Sequence, residues 1–216
     1  MPIETYLIGI AGPSGAGKTY LATHLASALG GHVLALDRYY RDLSHRSSEE
    51  RAHVNFDAPE ALEHELIVDQ VARLRNCETV HLPVYDFASH TRTARTEPLQ
   101  PSGVVIIEGL FTLYWPSLRE LMVTKVYVDM NDEICLTRRK ARDVRERGRT
   151  PESVIEQYAA TVAPMAQRYV RPTIAHADVV VSGVEPIRNS VARVLAHYRQ
   201  QVANVQVQDA TGRALR

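Results

Sequence analysis

The chain has 216 residues, of which 45% are hydrophobic and 23% charged, and its 25 basic residues balance 25 acidic ones. This composition is that of an ordinary globular protein, and the zero net charge argues against a field that attracts nucleic acid or an acidic membrane surface. With two distant cysteines, no signal-peptide pattern and no apolar run of membrane-spanning length, we expect a single cytoplasmic domain over residues 1–207. The polar residues 208–216 are expected to form a flexible tail.

A glycine-rich segment at residues 12–19 follows an apolar run at 6–11 and precedes a helical pattern. Strand, loop and helix in this order are the setting in which G-x-x-x-x-G-K-[ST] forms a phosphate site, because the glycines let successive backbone N–H groups point at one anion. The alternative is a tight turn that only joins strand and helix. In the phosphate site, Lys18 reaches the β- and γ-phosphates and the Thr19 hydroxyl ligates Mg²⁺. The predicted phosphate contacts are Gly12, Pro13, Ser14, Gly15, Ala16, Gly17, Lys18 and Thr19.

Two further predicted strands end in an acidic residue. The run 32–36 is followed by Asp37, and the strongly apolar run 102–107 by Glu108. Strands alternate with helical patterns along the chain, which predicts a mostly parallel α/β sheet covered by helices on both faces. Because ligands of such sheets lie beyond the carboxyl ends of the strands, Asp37 is a candidate general base and Glu108 a candidate Mg²⁺ ligand. The alternatives are a helix N-cap or a surface ion pair for Asp37, and a loop cap for Glu108.

Between these strands the sequence predicts a loop, a helix and a hairpin. Residues 41–57 are polar and predict a mobile loop, and a helical pattern runs over 59–75. At about 79–99, alternating apolar residues around Pro83 predict an irregular two-stranded hairpin outside the main sheet. Three of its side chains are suited to a planar ligand, although they could also simply pack the hairpin onto the core. They are Tyr85, Phe87 and His90.

Six arginines and a lysine are concentrated at residues 138–149, with few acids among them. The segment from Gly148 to Pro151 interrupts the helical pattern, and a second helix continues to about Tyr169 before Pro172 stops it. A helix, a break and a second helix predict a lid, at about 138–170, that brings guanidinium groups onto a triphosphate. The alternative is an ordinary solvated helix face.

Together these segments resemble the uridine/cytidine kinases, within the P-loop group that includes phosphoribulokinase and pantothenate kinase. The resemblance covers roughly residues 5–185 and is carried by several motifs in one order. The motifs are Asp37-Arg-Tyr-Tyr40-Arg, Asn55-Phe-Asp57-Ala-Pro59, Pro83-Val-Tyr85-Asp-Phe87-Ala-Ser-His90, Ile107-Glu108-Gly-Leu, the run from Arg138 to Arg149, Gln157-Tyr158 and Ala177-Asp-Val-Val-Val. Two positions depart from the family pattern: the loop reads Gly-Ala-Gly where Ala-Ser-Gly is common, and Ala58 replaces a histidine.

The resemblance implies a P-loop NTPase fold and phosphorylation of the 5′-hydroxyl of uridine and cytidine. ATP or GTP is the implied donor, Mg²⁺ the metal and a nucleoside the acceptor, with no nucleic-acid or membrane partner; a homotetramer is common in the family. It further implies Asp37 as the base, with Lys18, Arg142 and Arg147 as the other catalytic groups. The implied lid contacts to ATP phosphates are Arg139, Arg142 and Arg147. The implied nucleoside contacts are Asp37, Tyr40, Asp57, Tyr85, Phe87, His90, Arg149 and Gln157, and the implied Mg²⁺ ligands are Thr19, Asp37 and Glu108.

Two other functions stay open from the sequence. One is a different small-molecule kinase of the same group, phosphoribulokinase-like or pantothenate kinase-like. A phosphorylated acceptor would require an additional anion site. The other is a nucleotide-gated binding protein with slow hydrolysis, which requires no acceptor pocket beside the γ-phosphate.

Overall fold

The computed structural model describes residues 5–214, except the side chains of Ala52 and of 208–214. Seven strands lie within that range: β1 (Tyr6–Ala11), β2 (His32–Ala35), β3 (Val80–Asp86), β4 (Thr91–Leu99), β5 (Val104–Glu108), β6 (Thr124–Asp129) and β7 (Val179–Ser182). The α-helices of the same residues are α1 (Lys18–Leu29), α2 (Ser48–Ala52), α3 (His64–Arg75), α4 (Pro116–Arg119), α5 (Asp132–Arg147), α6 (Pro151–Gln157), α7 (Ala163–Met165) and α8 (Ile187–Ala214).

The main sheet has five parallel strands in the order β2-β5-β1-β6-β7. β5 is buried along its whole length, as expected of an apolar strand that has both faces covered. Successive residues of β1 lie on opposite faces of the sheet. Leu7 belongs to the hydrophobic core that includes α3, and Ile8 belongs to the core that includes α1 and α8. The predicted α/β class, with a parallel sheet between two helical layers, is confirmed.

The hairpin forms a separate antiparallel sheet of β3 and β4, and its register shifts between Pro83 and Tyr85. A buried chain of hydrogen bonds ties it to the segment after β2. The Tyr39 hydroxyl donates to Gln70 Oε1 at 2.7 Å, and Gln70 Nε2 donates to the His81 carbonyl at 3.0 Å. The hairpin is therefore held beside the carboxyl end of β2, where Asp37 follows.

Two boundaries between β2 and α3 differ from the sequence predictions. Residues 59–75 do not form one helix: Pro59–Ala61 is a 3₁₀ turn, and α3 begins at His64. The reason is tertiary, because Leu62 is extended and bridges to Tyr40, and the Glu63 amide donates to the Tyr39 carbonyl at 2.9 Å. The loop predicted at 41–57 contains α2, whose first turn is closed by a capping box between Ser47 and Glu50.

The predicted lid corresponds to α5, a break at Gly148 and a second helical segment. Gly148 has a φ of 62° and ends α5 in the left-handed conformation that favours glycine. The second segment starts at Pro151 and includes two π-helical turns, Tyr158–Val162 and Ala166–Val170. Its π-helical part ends before Pro172, which lies in the 3₁₀ segment Arg171–His176.

The final helix, α8, continues to Ala214. The expected tail at 208–216 therefore overlaps a helix for most of its length, while its last two residues lie outside the described part of the chain. Its flexibility stays a prediction. Among residues 5–214, none of the helices has both the length and the apolar character needed to cross a membrane.

Candidate active site

A cleft of about 1000 Å³ opens at the carboxyl ends of the parallel strands. It brings together the glycine-rich loop, the acidic strand ends, the hairpin aromatics and the arginine segment, which are far apart in the sequence. Of the residues singled out from the sequence, only Gly12 and Pro13 are missing from its wall. The wall includes Ser14, Gly15, Ala16, Gly17, Lys18, Thr19, Asp37, Tyr40, Asp57, Tyr85, Phe87, His90, Glu108, Arg139, Arg142, Arg147, Arg149 and Gln157.

The glycine-rich loop has the curled backbone that an anion cradle needs. Gly12 and Gly15 have φ values of 147° and 87°, and a Cβ atom at Gly15 would lie 2.4 Å from the Cys135 carbonyl oxygen. Only glycine fits there without displacing the backbone. Lys18 Nζ donates to the Pro13 carbonyl at 3.0 Å. Burial lowers the pKa of Lys18, although the Glu108 and Asp37 carboxylates act in the opposite direction.

The two acidic strand ends meet because β2 and β5 are neighbours, with Ala35 paired to Glu108. Asp37 lies in the 3₁₀ turn Leu36–Tyr39 directly after β2. Thr19 Oγ1 donates to Glu108 Oε1 at 3.0 Å. Burial raises the pKa of Glu108; nearby Lys18 lowers it, and the charge of Asp37 raises it. Two neighbouring carboxylates beside a hydroxyl, with the charge of one raising the pKa of Glu108, are a set of oxygen donors that a divalent cation would stabilise.

These donors suit Mg²⁺ in particular. Within the described range, no group of three or more His, Cys, Asp or Glu side chains is arranged to hold a metal ion alone. Mg²⁺ is commonly bound through one or two carboxylates together with substrate phosphates, rather than by an all-protein cage. Asp37, Glu108 and Thr19 beside a phosphate loop fit that pattern.

The hairpin end of the cleft is aromatic. The Tyr40 ring lies 5.3 Å from Tyr85 and 5.5 Å from Phe56, and the Phe56 ring stacks on His90 at 4.6 Å. Phe87 closes the group at 5.2 Å from Tyr85. The Tyr85 hydroxyl is buried and has no hydrogen-bond partner among the described residues. Planar walls and an unpaired buried hydroxyl suit a flat polar ligand such as a pyrimidine.

The surroundings of His90 favour its neutral form. Burial lowers its pKa below the ordinary value of 6.5, and Arg147, Arg51 and Arg149 lower it further. A neutral imidazole has one donor and one acceptor nitrogen. It can therefore donate to a carbonyl or accept from an amino group of a bound base.

Beside the aromatic end lies a group of buried and half-buried polar residues. Asp57 is buried, and burial raises its pKa, whereas Arg139 lowers it. Thr161 Oγ1 donates to Asp57 Oδ2 at 3.4 Å. Gln157 Oε1 accepts hydrogen bonds from both Arg139 and Arg149. This group offers the acceptors and donors that sugar hydroxyls require.

The lid arginines are not equivalent. Arg139 is buried, and protein groups surround its guanidinium: the Ser14 hydroxyl at 2.9 Å, Gln157 Oε1 at 3.1 Å and Asp57 Oδ1 at 3.7 Å. It thus links the phosphate loop to the polar group described above, and a direct contact with ATP stays a prediction. Arg142 and Arg147 have side chains that are 35% and 34% exposed, so their guanidinium groups are accessible to a phosphate in the cleft.

Sequence reasoning missed three parts of the site, of which the first two line the cleft and the third lies behind its wall. Phe56 lies within a quoted motif, between Asn55 and Asp57, but was not singled out as an aromatic wall. Arg138 donates to the Gly183 carbonyl at 3.1 Å and joins the segment after β7 to the site. That segment packs on the phosphate loop, since a Cβ at Gly183 would lie 2.4 Å from the Ala16 carbonyl oxygen. The third part is Asp143, a buried carboxylate among the lid arginines.

Comparison with known proteins gives a consistent result. The model of the Phosphoribulokinase / Uridine kinase family matches residues 7–189. A uridine kinase of Macrococcus caseolyticus is 43% identical over 192 residues, covering 88% of this chain and 92% of that protein. A uridine kinase of Staphylococcus carnosus is 44% identical over 180 residues, covering 82% of this chain and 86% of that protein.

Structural similarity extends to more distant kinases. The structure of D-glycerate 3-kinase from Cryptococcus neoformans superposes with a TM-score of 0.58 at 17% identity. The match covers 79% of this chain and 80% of that one. At this level of identity the match supports the fold, and it carries no information on the acceptor.

Proposed function

The chain belongs to the Phosphoribulokinase / Uridine kinase family, and we propose that it transfers the γ-phosphoryl group of ATP to the 5′-hydroxyl of uridine and cytidine, giving UMP and CMP. One observation carries this proposal: the phosphate loop and the aromatic hairpin end line the same cleft, with Asp37 near both. The charge of Asp37 shifts the pKa of Lys18 on the loop side and that of Tyr40 on the aromatic side. A phosphoryl donor and a planar acceptor therefore share one site with a carboxylate.

In the proposed reaction, Asp37 takes the proton of the 5′-hydroxyl as that oxygen forms a bond to the γ-phosphorus. The bond between the γ-phosphorus and the β–γ bridging oxygen breaks, and ADP leaves. Lys18, Arg142 and Arg147 offset the charge on the phosphoryl oxygens, which is most of what a protein contributes to this chemistry. Thr19, Asp37 and Glu108 are the residues that would hold Mg²⁺, which supplies further neutralisation of phosphate charge when bound.

The acceptor is proposed to bind with its base at the aromatic end and its ribose at the polar group. Tyr85 and His90 are proposed to read the base edge, and Phe56, Tyr40 and Phe87 to enclose its faces. Asp57, Arg149 and Gln157 are proposed to bond the ribose hydroxyls. We propose that the reaction takes place in the cytoplasm, where a salvaged nucleoside meets ATP.

Acceptor-dependent ATP consumption tests the proposal. Purified protein with ATP and Mg²⁺ is supplied separately with uridine, cytidine, ribulose 5-phosphate, pantothenate or no acceptor, and ADP is measured. The expected result is turnover with uridine and cytidine only. Turnover with a phosphorylated acceptor would favour the phosphoribulokinase-like alternative, and slow turnover that no acceptor changes would favour a nucleotide-gated binding protein.

A further inference from the structure

Asp143 is a fully buried carboxylate, 0% exposed, at the centre of the arginine segment of α5. Its Oδ1 atom accepts from Arg142 Nε and lies equally close to Arg142 Nη2, both at 2.8 Å. Arg147 Nε lies 3.7 Å from the same oxygen, and Arg139 Nε lies 3.4 Å from Oδ2. Arg139 and Arg147, four residues before and after Asp143, fall on its own helix face, and Arg142 directly precedes it, so one anion meets three cations.

The cleft needs such an internal anion. Arg142 and Arg147 lie close enough for Arg142 to lower the pKa of Arg147, after the larger effect of burial, whereas Asp143 raises it. Arg142 also lowers the pKa of Lys18. Without a nearby anion these cations would repel one another and turn towards solvent, because exposed arginine side chains have many rotamers.

We infer that Asp143 is a positioning residue that holds Arg142 and Arg147 ready for the triphosphate, an inference that rests on the proposed phosphoryl transfer. The Nε hydrogen bond and the close approach of Nη2 hold the Arg142 guanidinium against one carboxylate oxygen, and Nη1, which takes no part in this ion pair, can bind an external anion. Such a pre-ordered donor loses less freedom when the phosphate arrives than a mobile side chain would. Asp143 acts through the arginines and does not itself contact the substrate.

The main chain of Asp143 makes hydrogen bonds that do not involve its carboxylate. Its carbonyl oxygen accepts the amide of Gly148 and, at 3.2 Å, the amide of Arg149, which ends α5. Side-chain substitutions leave these bonds in place. Variants of the carboxylate therefore test the positioning of the arginines apart from the helix end.

Equilibrium binding of inorganic tripolyphosphate, measured by calorimetry, is the first test, and it does not depend on the identity of the acceptor. The variant is Asp143→Asn, and the matched control is Glu133→Gln, which removes one carboxylate from an exposed position of the same helix. An effect of net charge alone and a positioning role of Asp143 predict opposite changes in the affinity for tripolyphosphate. If only net charge matters, removing an anion tightens binding of a polyanion; if Asp143 positions the arginines, binding weakens by about tenfold, as expected for one lost charge-assisted bond.

Steady-state kinetics with ATP and uridine are the second test. We expect Asp143→Asn to lower kcat by about 10²-fold, the usual effect of a misplaced catalytic group, with the KM for uridine nearly unchanged. In an Arg142→Ala background the same substitution should lower kcat much less, because Asp143 acts on the reaction by positioning that arginine. Additive losses in this cycle, or tripolyphosphate binding as tight as in the wild type or tighter, would overturn the inference.

Two further measurements keep the outcome decisive. If Asp143→Asn does not fold, Asp143→Glu replaces it, because this variant retains the charge but moves the carboxylate by one methylene. Weaker tripolyphosphate binding by the folded Glu variant supports the positioning role. Binding as tight as in the wild type contradicts it. If the wild type shows no uridine-dependent turnover, the proposed function fails. The tripolyphosphate comparison still decides the role of Asp143.

Discussion

The Tyr85 hydroxyl gives a prediction in which stability and substrate binding move in opposite directions. Tyr85 is 7% exposed, and its hydroxyl has no partner among the described residues. Burial raises its pKa to about 12, so it is a neutral donor at physiological pH. The substitution Tyr85→Phe keeps the ring contacts with Tyr40 and Phe87 and removes only the oxygen.

The magnitudes follow from hydrogen-bond energetics. A buried polar group without a partner costs about 1–3 kcal/mol, so its removal should raise the free energy of unfolding of the ligand-free protein by up to that amount. For a chain of this size each kcal/mol corresponds to roughly 2–4 °C in Tm. In the complex the hydroxyl is proposed to bond the pyrimidine edge. Losing a neutral hydrogen bond worth about 0.5–1.5 kcal/mol should raise the KM for uridine about 2- to 12-fold, with kcat little changed.

Thermal unfolding without ligand and steady-state kinetics with uridine provide the two readouts. Tyr198→Phe is the matched control, because Tyr198 is also buried but packs against Tyr6 in the other core, away from the cleft. The control should leave the KM for uridine unchanged. If Tyr85→Phe lowers Tm and leaves the KM for uridine unaltered, the hydroxyl is bonded within the protein and does not meet the base.

Three other predictions concern the base, the lid and the imidazole. Asp37→Asn should lower kcat by about 10²–10⁴-fold, the usual contribution of a general base; if kcat survives and only the KM for uridine rises, Asp37 positions the substrate instead. Hydrogen exchange across residues 138–150 should slow when an ATP analogue and uridine are added together, and exchange indifferent to both would reject the lid. Uridine and cytidine should be phosphorylated within about tenfold of each other in kcat/KM, because exchanging the imidazole tautomer costs about 1.4 kcal/mol or less, and His90→Ala should change the product ratio in a competition assay. Because the folded-state pKa of His90 is lowered from 6.5, the stability that its neutral form contributes is present above pH 6.5 and is lost as the pH falls through the lowered pKa. The KM for uridine should stay flat at and above pH 6.5 and rise only as the pH falls through that lowered pKa, a trend absent in His90→Ala.

The parts of the fold that local pattern determines could be predicted from the sequence. The apolar run before Gly12 forms β1, and the fully apolar run before Glu108 forms the buried strand β5. Both depend on short-range chemistry: glycine where φ is positive, and continuous apolar residues where a strand is covered on both faces. The order of these strands along the chain was enough to predict that Asp37 and Glu108 would face the phosphate loop.

What the sequence could not predict depends on long-range contacts. The start of α3 at His64 follows from backbone bonds that join Leu62 and Glu63 to the segment after β2, and no local signal marks those bonds. The burial of Arg139 and Asp143 was not predicted either; around Arg139, Ser14 of the phosphate loop and Gln157 of the second lid helix bond the guanidinium group. In the sequence both residues belong to a charged helical run, which is more commonly a solvated surface.

Identification of the labelled product tests whether the enzyme transfers the γ-phosphoryl group to the 5′-hydroxyl of uridine. Protein, Mg²⁺, uridine and ATP labelled in the γ-phosphoryl group are incubated together, and the labelled product is identified by mass spectrometry and phosphorus NMR. Lys18→Ala, in which the phosphate loop has lost its lysine, serves as the inactive control. One labelled UMP, phosphorylated at the 5′-position, is expected for each ADP formed by the wild type. Label recovered only as inorganic phosphate, or UMP formed equally well by Lys18→Ala, would contradict the proposed transfer.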